Sequence, residues 1–296
     1  MSVQSEIDRI ITAVGNAYDS VVTKGGTVPT DETVANLAAA IDSIPSGSGG
    51  SGFPNGTEWT QSNITSGTVY TSYNSNGIWV AGSNSNGLYY STDGKTWTQS
   101  NITSNTIYSV YNANGIWVAG GKGGLYYSTD GKTWTQSNIT GSSICIVHNA
   151  NGIWVAGSRS GFGVTLKGFY YSTDGKTWTK SNITSAYMFC VYNANGIWVA
   201  GSSGNGLYYS TDGKTWTQSN ITSISIGSAG YNEDLYYSNG IWVAGSNTGL
   251  YYSTDGKTWT QSNITSTNMF CVYNANGIWV AGSDGGGLYC SITWEA

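Results

Sequence analysis

Charge is scarce in this sequence. Only 9% of its 296 residues are charged, for a net charge of −5. The balance is uneven, because residues 1–54 carry Arg9 and Lys24 against six carboxylates, a balance of −4, and the remainder is close to neutral. No basic stripe is present to release counterions from a phosphate backbone, so nucleic-acid binding is not expected, and anionic membrane surfaces are disfavoured for the same reason. Cysteine and histidine are also few. Cys145, Cys190, Cys271 and Cys290 form no CxxC pair and His148 stands alone, so no zinc-type ligand set, metal or cofactor is expected, and the cysteines read as reduced core residues. No run reaches 18 apolar residues, and no apolar stretch follows a basic patch at the N-terminus. Neither membrane insertion nor a signal peptide is therefore expected.

Glycine and aromatics are plentiful: 42 Gly, 13 Trp and 22 Tyr describe a turn-rich, strand-forming chain. Self-comparison finds NGIWVAG six times, with its glycine at Gly77, Gly115, Gly152, Gly196, Gly240 and Gly277, spaced 38, 37, 44, 44 and 37 residues. That period belongs to propeller blades. Between copies runs GLYYSTDGKTWTQSNIT or a close variant, whose aspartate recurs five times, at Asp93, Asp130, Asp174, Asp212 and Asp255. The sixth copy is split: the chain ends on GLYCSITWEA, and residues 55–63 near the front match DGKTWTQSN. The expected fold is an all-β, six-bladed β-propeller of four-stranded blades, closed by an N-terminal strand that removes the open sheet edges.

Within a blade the pattern predicts strand A over 106–112, B over 116–120, C over 125–128 and D over 133–137. Asn-Gly is expected at the A-to-B corner and Asp-Gly at the C-to-D corner. IWVAG and GLYY are apolar at successive positions, as in sheets covered on both faces by neighbouring blades. The repeat tryptophans are expected to bury between blades.

STDGKTW, whole at 91–97, 128–134, 172–178, 210–216 and 253–259, resembles the Asp-box or BNR repeat of sialidase-type propellers. The resemblance covers residues 55–296 and implies a propeller whose boxes sit at C-to-D turns away from the binding face. Physically, each aspartate can accept hydrogen bonds from its own turn while the tryptophan buries, so a structural role is expected for all five. Sialidases of this family use three arginines, whereas this region has one, Arg159, and lysine cannot supply the bidentate fork. No catalytic residue is therefore assigned. Glu233 and Asp234 read as a solvated loop pair, and His148 as a substitution for the tyrosine found at Tyr73, Tyr111, Tyr192 and Tyr273. The six Asn-Ile-Thr sequons, from Asn63 to Asn263, read as strand-end turn residues.

The repeats differ at the D-to-A junctions and the B-to-C hairpins, which emerge on one face of an up-and-down blade. Candidate ligand-binding residues there are Asn84, Asn86, Lys122, Arg159, Phe162, Lys167, Asn205, Asn247 and Asp284 in hairpins, with Asn105, Tyr187 and Asn268 at junctions. Small polar and aromatic side chains on such loops suit a glycan or protein ligand.

Ahead of the repeats, Ile7, Ile10, Ile11, Val14 and Tyr18 form a helical stripe and residues 34–44 a second helix. This α-helical hairpin, 1–45, is too small to bury a core alone. Residues 46–54 read as a Gly/Ser linker and 55–296 as the propeller. Residues 24–47, KGGTVPTDETVANLAAAIDSIPSG, resemble N-terminal segments of tailed-phage virion proteins. That resemblance implies mounting on a tail or virion protein through 1–45, with a host-surface glycan or protein as the propeller's ligand. The expected location is then a virion, and otherwise the cytoplasm. A glycan-cleaving enzyme and an intracellular assembly-factor propeller are the alternatives.

Overall fold

A computed structural model describes residues 59–65, 67–159, 167–227, 234–265, 267–284 and 286–291, together with Val14, Ala17, Tyr18, Val21 and Asn36. The chain divides into two compact units, Met1–Gln61 and Ser62–Ala296. In the first, Val14, Ala17, Tyr18, Val21 and Asn36 are helical, and Tyr18 and Val21 are buried. The 46–54 linker lies outside the described residues.

The second unit is a six-bladed β-propeller. Blade 1 is β1 (Val69–Ser75), β2 (Ile78–Ser83), β3 (Leu88–Ser91) and β4 (Thr98–Gln99). Blade 2 is β5 (Ile107–Ala113), β6 (Ile116–Gly121), β7 (Gly124–Ser128) and β8 (Thr135–Thr140). Blade 3 follows as β9 (Ile144–Ala150), β10 (Ile153–Ser158), β11 (Phe169–Ser172) and β12 (Thr179–Lys180). Blade 4 is β13 (Met188–Ala194), β14 (Ile197–Ser202), β15 (Gly206–Ser210) and β16 (Thr217–Gln218). Blade 5 comprises β17 (Leu235–Ser238), β18 (Ile241–Ser246), β19 (Gly249–Ser253) and β20 (Thr260–Thr265), and blade 6 β21 (Met269–Ala275), β22 (Ile278–Ser283) and β23 (Gly287–Ser291). Every blade is an antiparallel meander in chain order, and the inner strands β1, β5, β9, β13, β17 and β21 pack in succession.

Local chemistry explains the hairpins. At the A-to-B corner both residues take positive φ, for example Asn114 at 51° and Gly115 at 76°, the mirror-image turn that matches strand twist. The C-to-D corner is built differently, since only the glycine is left-handed there (Gly131, φ 72°). A side-chain scaffold holds the rest of that turn. Asp130 Oδ1 accepts the N–H groups of Lys132 and Thr133, both at 2.8 Å, and the Ser128 hydroxyl at 2.8 Å. Ser128 Oγ in turn accepts from Gly131 N–H at 2.9 Å. The same bonds recur at Asp93, Asp174, Asp212 and Asp255, so each of these five carboxylates ties together its own turn. The donors hold Asp93 down to about 2, led by the Thr96 and Lys95 N–H groups. At the other four, partial burial opposes the shift and the backbone donors outweigh it.

Among the described residues five inter-blade cores follow round the ring, each pairing a valine and a leucine of one blade, or Phe169 in place of the leucine in blade 3, with the tryptophan face of the next. Between blades 3 and 4, for instance, Val155 and Phe169 meet Met188, Trp198 and Trp216. The last glycine of IWVAG permits this approach: a Cβ at Gly157 would come within 2.3 Å of Met188. The sequon asparagines lock the joints. Asn182 Nδ2 donates to Trp216 O at 2.8 Å while Trp216 N–H donates back to Asn182 Oδ1 at 2.9 Å. Equivalent two-bond clasps join Asn63 to Trp97, Asn101 to Trp134, Asn138 to Trp178 and Asn220 to Trp259. These asparagines therefore join blades rather than merely ending strands.

Blade 6 differs from the others. It has three strands among the described residues, where a fourth from the front of the chain was expected. Residues 55–58 lie outside the described residues and Trp59 is 89% exposed. The physical difference is one of connection: every other fourth strand follows its neighbour through a short turn, whereas this one must come from the far end of the chain, at a larger loop-closure cost. Asn263, the sequon at the end of blade 5, has no clasp among the described residues, and the joint between blades 6 and 1 is thinly covered. Leu288 is 77% exposed, and Trp79 on the facing side of blade 1 is 39% exposed, so burial of the tryptophans is incomplete at this joint. Cysteine burial is likewise uneven, with Cys145 and Cys190 buried, Cys271 half-buried and Cys290 exposed, all four as free thiols.

Candidate functional site

The two ends of the ring carry different chemistry. One end holds the Asn-Gly corners and the five aspartate-centred turns, which repeat with little change. At the other end, the first residue of each B-to-C hairpin donates its N–H to the D-to-A junction of the same blade. The pairs are Asn84 to Thr68, Lys122 to Thr106, Arg159 to Ser143, Ser203 to Tyr187, Asn247 to Ser225 and Asp284 to Asn268, at 2.8–3.1 Å. Six such bonds bring the two variable loop sets side by side on one face, as the repeat comparison anticipates.

Several candidates on that face are already engaged. Asn84 Oδ1 accepts from Thr106 Oγ1 and Ser85 Oγ, Asn105 Nδ2 donates to Tyr126 OH at 2.6 Å, and Asn247 Oδ1 accepts from Ser225 N–H. Asn86 and Asn205 offer their carbonyls to Gln99 and Gln218. Asn268 takes part through its backbone carbonyl. These six shape the loops. Lys122 and Asp284 are exposed, and Phe162 lies outside the described residues.

Arg159, Lys167 and Tyr187 belong to a sector the sequence did not resolve. The Arg159 guanidinium sits 4.5 Å from the centroid of Tyr108, and Tyr108 is 5.5 Å from Tyr70. The Lys167 ammonium lies 4.9 Å from the centroid of Tyr187. Such stacking is attractive because the ring face is negative. Beneath Arg159, burial pushes the Cys145 thiol up to about 12, so it packs as a neutral group.

The channel along the ring axis has a volume of about 360 Å³ and is lined by all six inner strands. Near its Asn-Gly end stands a chain of aromatic side chains, Tyr73, Tyr111, His148, Tyr192, Tyr236 and Tyr273, with successive centroids 4.9, 5.0, 6.0, 5.8 and 5.0 Å apart. Five of these rings also meet the tryptophan of the following blade edge-on, as Tyr111 meets Trp154 at 6.1 Å and 89°. His148 thus occupies a tyrosine's place in a stack, and burial pushes it down to about 4, leaving it neutral at pH 7.

Asp234 corrects an expectation. It is fully buried, not part of a solvated pair, while Glu233 lies outside the described residues. Ile226 makes the strand-A bridge to Ser246 and the chain returns at Asp234, so the insertion enters the inner strand and carries the carboxylate into the interior. Burial, and secondly the nearby Asp234 charge, push the Cys190 thiol up. Among the described residues no cluster of three His, Cys, Asp or Glu side chains could hold a metal.

Comparison by sequence finds no matching family model and no matching characterised relative. Among solved structures, the chain is similar to the computationally designed Ika8 protein (TM-score 0.59, 14% identity, 75% of this chain and 70% of that one). It is also similar to an ancestral GH74 enzyme (TM-score 0.57, 19% identity, 76% of this chain) and spans only 36% of that enzyme's length. A third likeness is to YCF48 bound to D1 peptide (TM-score 0.50, 17% identity, 73% of this chain and 76% of that one). At these identities the likenesses establish the propeller fold alone.

Proposed function

We propose that this chain is a non-enzymatic recognition module whose variable loop face binds a surface glycan or protein, and whose first 45 residues mount it on a tail-type particle. One observation carries the reading. The hairpins and junctions that differ between blades meet on one face, while the turns at the opposite end are stitched identically by their aspartates. Individuality confined to one end of a repetitive scaffold is what ligand recognition requires and a mere spacer does not. The resemblance of STDGKTW to Asp boxes and of residues 24–47 to phage virion segments supports the same reading.

The test uses the full chain, fluorescently labelled, on intact bacteria and a glycan panel. Binding is expected, and exchanging residues 159–167 for the short blade-2 hairpin around Lys122 is expected to abolish it with the thermal midpoint unchanged. Retention of full binding by the exchanged chain, or uniform absence of binding, sinks the proposal.

A further inference from the structure

Blade 3 departs from its neighbours in its cations. In four blades a glutamine at the start of strand D reaches the B-to-C hairpin, with Gln99, Gln136, Gln218 and Gln261 donating to the carbonyls of Asn86, Gly123, Asn205 and Thr248. Blade 3 has Lys180 in that place, and its stem lies against Gly168, where a Cβ would come within 2.9 Å of Lys180 Cε. Ser158 N–H and Gly168 O pair at 3.2 Å at the base of the hairpin, so Arg159 and Lys167 leave from facing positions. They splay in opposite directions around the ring, Arg159 over Tyr108 of blade 2 and Lys167 over Tyr187 at the entry to blade 4.

Three cations thus gather at one hairpin base, and among the described residues none makes an ion pair. The Arg159 guanidinium, 4.5 Å from the Tyr108 centroid, carries five N–H donors, enough to present a fork to a carboxylate. Tyr70, 46% exposed, extends the strip beyond Tyr108. Rings and cations alternating over consecutive blades match a ligand whose own rings and carboxylates alternate.

We infer that this sector, Tyr70, Tyr108, Arg159, Lys167, Lys180 and Tyr187, binds an acidic polysaccharide through its uronate carboxylates. Arg159 takes a carboxylate by its fork, the two lysines neutralise neighbouring ones, and Tyr70 stacks on a sugar ring. The inference rests on the proposed recognition role of the loop face and names its ligand class.

Titration calorimetry of the full chain with polygalacturonate at two salt concentrations tests it, with fully methyl-esterified polygalacturonate and polyglutamate as comparison probes. Polygalacturonate is expected to bind with an affinity that falls with salt, and the ester to bind at least tenfold more weakly. Arg159→Gln and Lys180→Gln, the second restoring the glutamine of the other blades, are each expected to weaken binding about tenfold, the scale of one charge-assisted hydrogen bond. Lys95→Gln at the opposite end is expected to change nothing, and circular dichroism checks that each variant is folded. Equal binding of the ester, unchanged affinity in both sector variants, or no binding overturns the inference. Polyglutamate binding with the same sensitivity to Arg159 and Lys180 overturns the sugar assignment. Cell binding that is lost on hairpin exchange, without any uronate binding, would sink this inference and leave the recognition role standing.

Discussion

The joints inside the ring and the junction between blade 6 and blade 1 are made from the same sequence in different states of completion. Between blades 4 and 5, Val199 and Leu207 are buried against Trp242 and Trp259, and Asn220 clasps the Trp259 backbone. At the junction, the corresponding Val280, Leu288 and Trp79 are exposed although Asn63 clasps the Trp97 backbone of blade 1, and at the neighbouring joint between blades 5 and 6 Asn263 holds no clasp among the described residues. A Cβ at Gly201 would strike Ile226 of the next blade at 2.6 Å, whereas one at Gly282 meets only Cys271 and Leu288 of its own blade. The lesson is that identical repeats need not have identical energetics: a blade face is worth what covers it.

The sharpest way to break this comparison is to truncate matched tryptophans. Trp198→Ala, at a fully buried interior position, is expected to cost about 3–5 kcal/mol in urea unfolding. Trp79→Ala should cost about 2 kcal/mol, since part of its ring already meets water. Equal losses would show that the front strand covers the junction in solution. A second pair removes the clasps: Asn220→Ala strands two backbone groups of Trp259 and should cost about 1–3 kcal/mol, while Asn263→Ala should be near neutral by the same assay.

Much of this architecture was legible in the sequence. The repeat spacing gave the blade count, Asn-Gly located the A-to-B corners, and loop variability located the individual face. Other features were hidden because they are contacts between blades, which a period within one repeat does not encode. The clasp is the clearest case: Asn182 reads as a turn residue until Trp216, in the next unit, is placed beside it. Its recurrence in every copy, where no turn type demands asparagine, was the available signal. Asp234 was misread because adjacent acids usually mark a solvated loop, and only the Ile226 bridge shows the chain re-entering the interior. The pairing of Arg159 with Tyr108 joins residues of different blades and left no local trace.

Smaller effects sharpen the contrast through pH. His148 is held below its ordinary value by burial, so its neutral form stabilises the fold above pH 6.5, and that contribution is lost as pH falls from about 6.5 towards 4. Replacing it with the tyrosine of the neighbouring blades, His148→Tyr, should remove a loss on the order of 2 kcal/mol over that window, measured as thermal midpoint against pH. A midpoint falling equally in both proteins would refute this. The turn aspartates act at lower pH. Their depressed carboxyls contribute above the ordinary carboxylate range, and for Asp93 the contribution is lost as pH falls from about 4 to about 2. Asp93→Asn should flatten the acid limb slightly and lower the midpoint at pH 7 by the matching small amount.

The asparagine clasp has a direction. Each unit presents an amide hook on one flank and a backbone eye on the other, so a joint specifies only which unit comes next and contains nothing that counts to six. The clasp therefore fixes the order of units and leaves their number to the angle at which neighbouring blades pack.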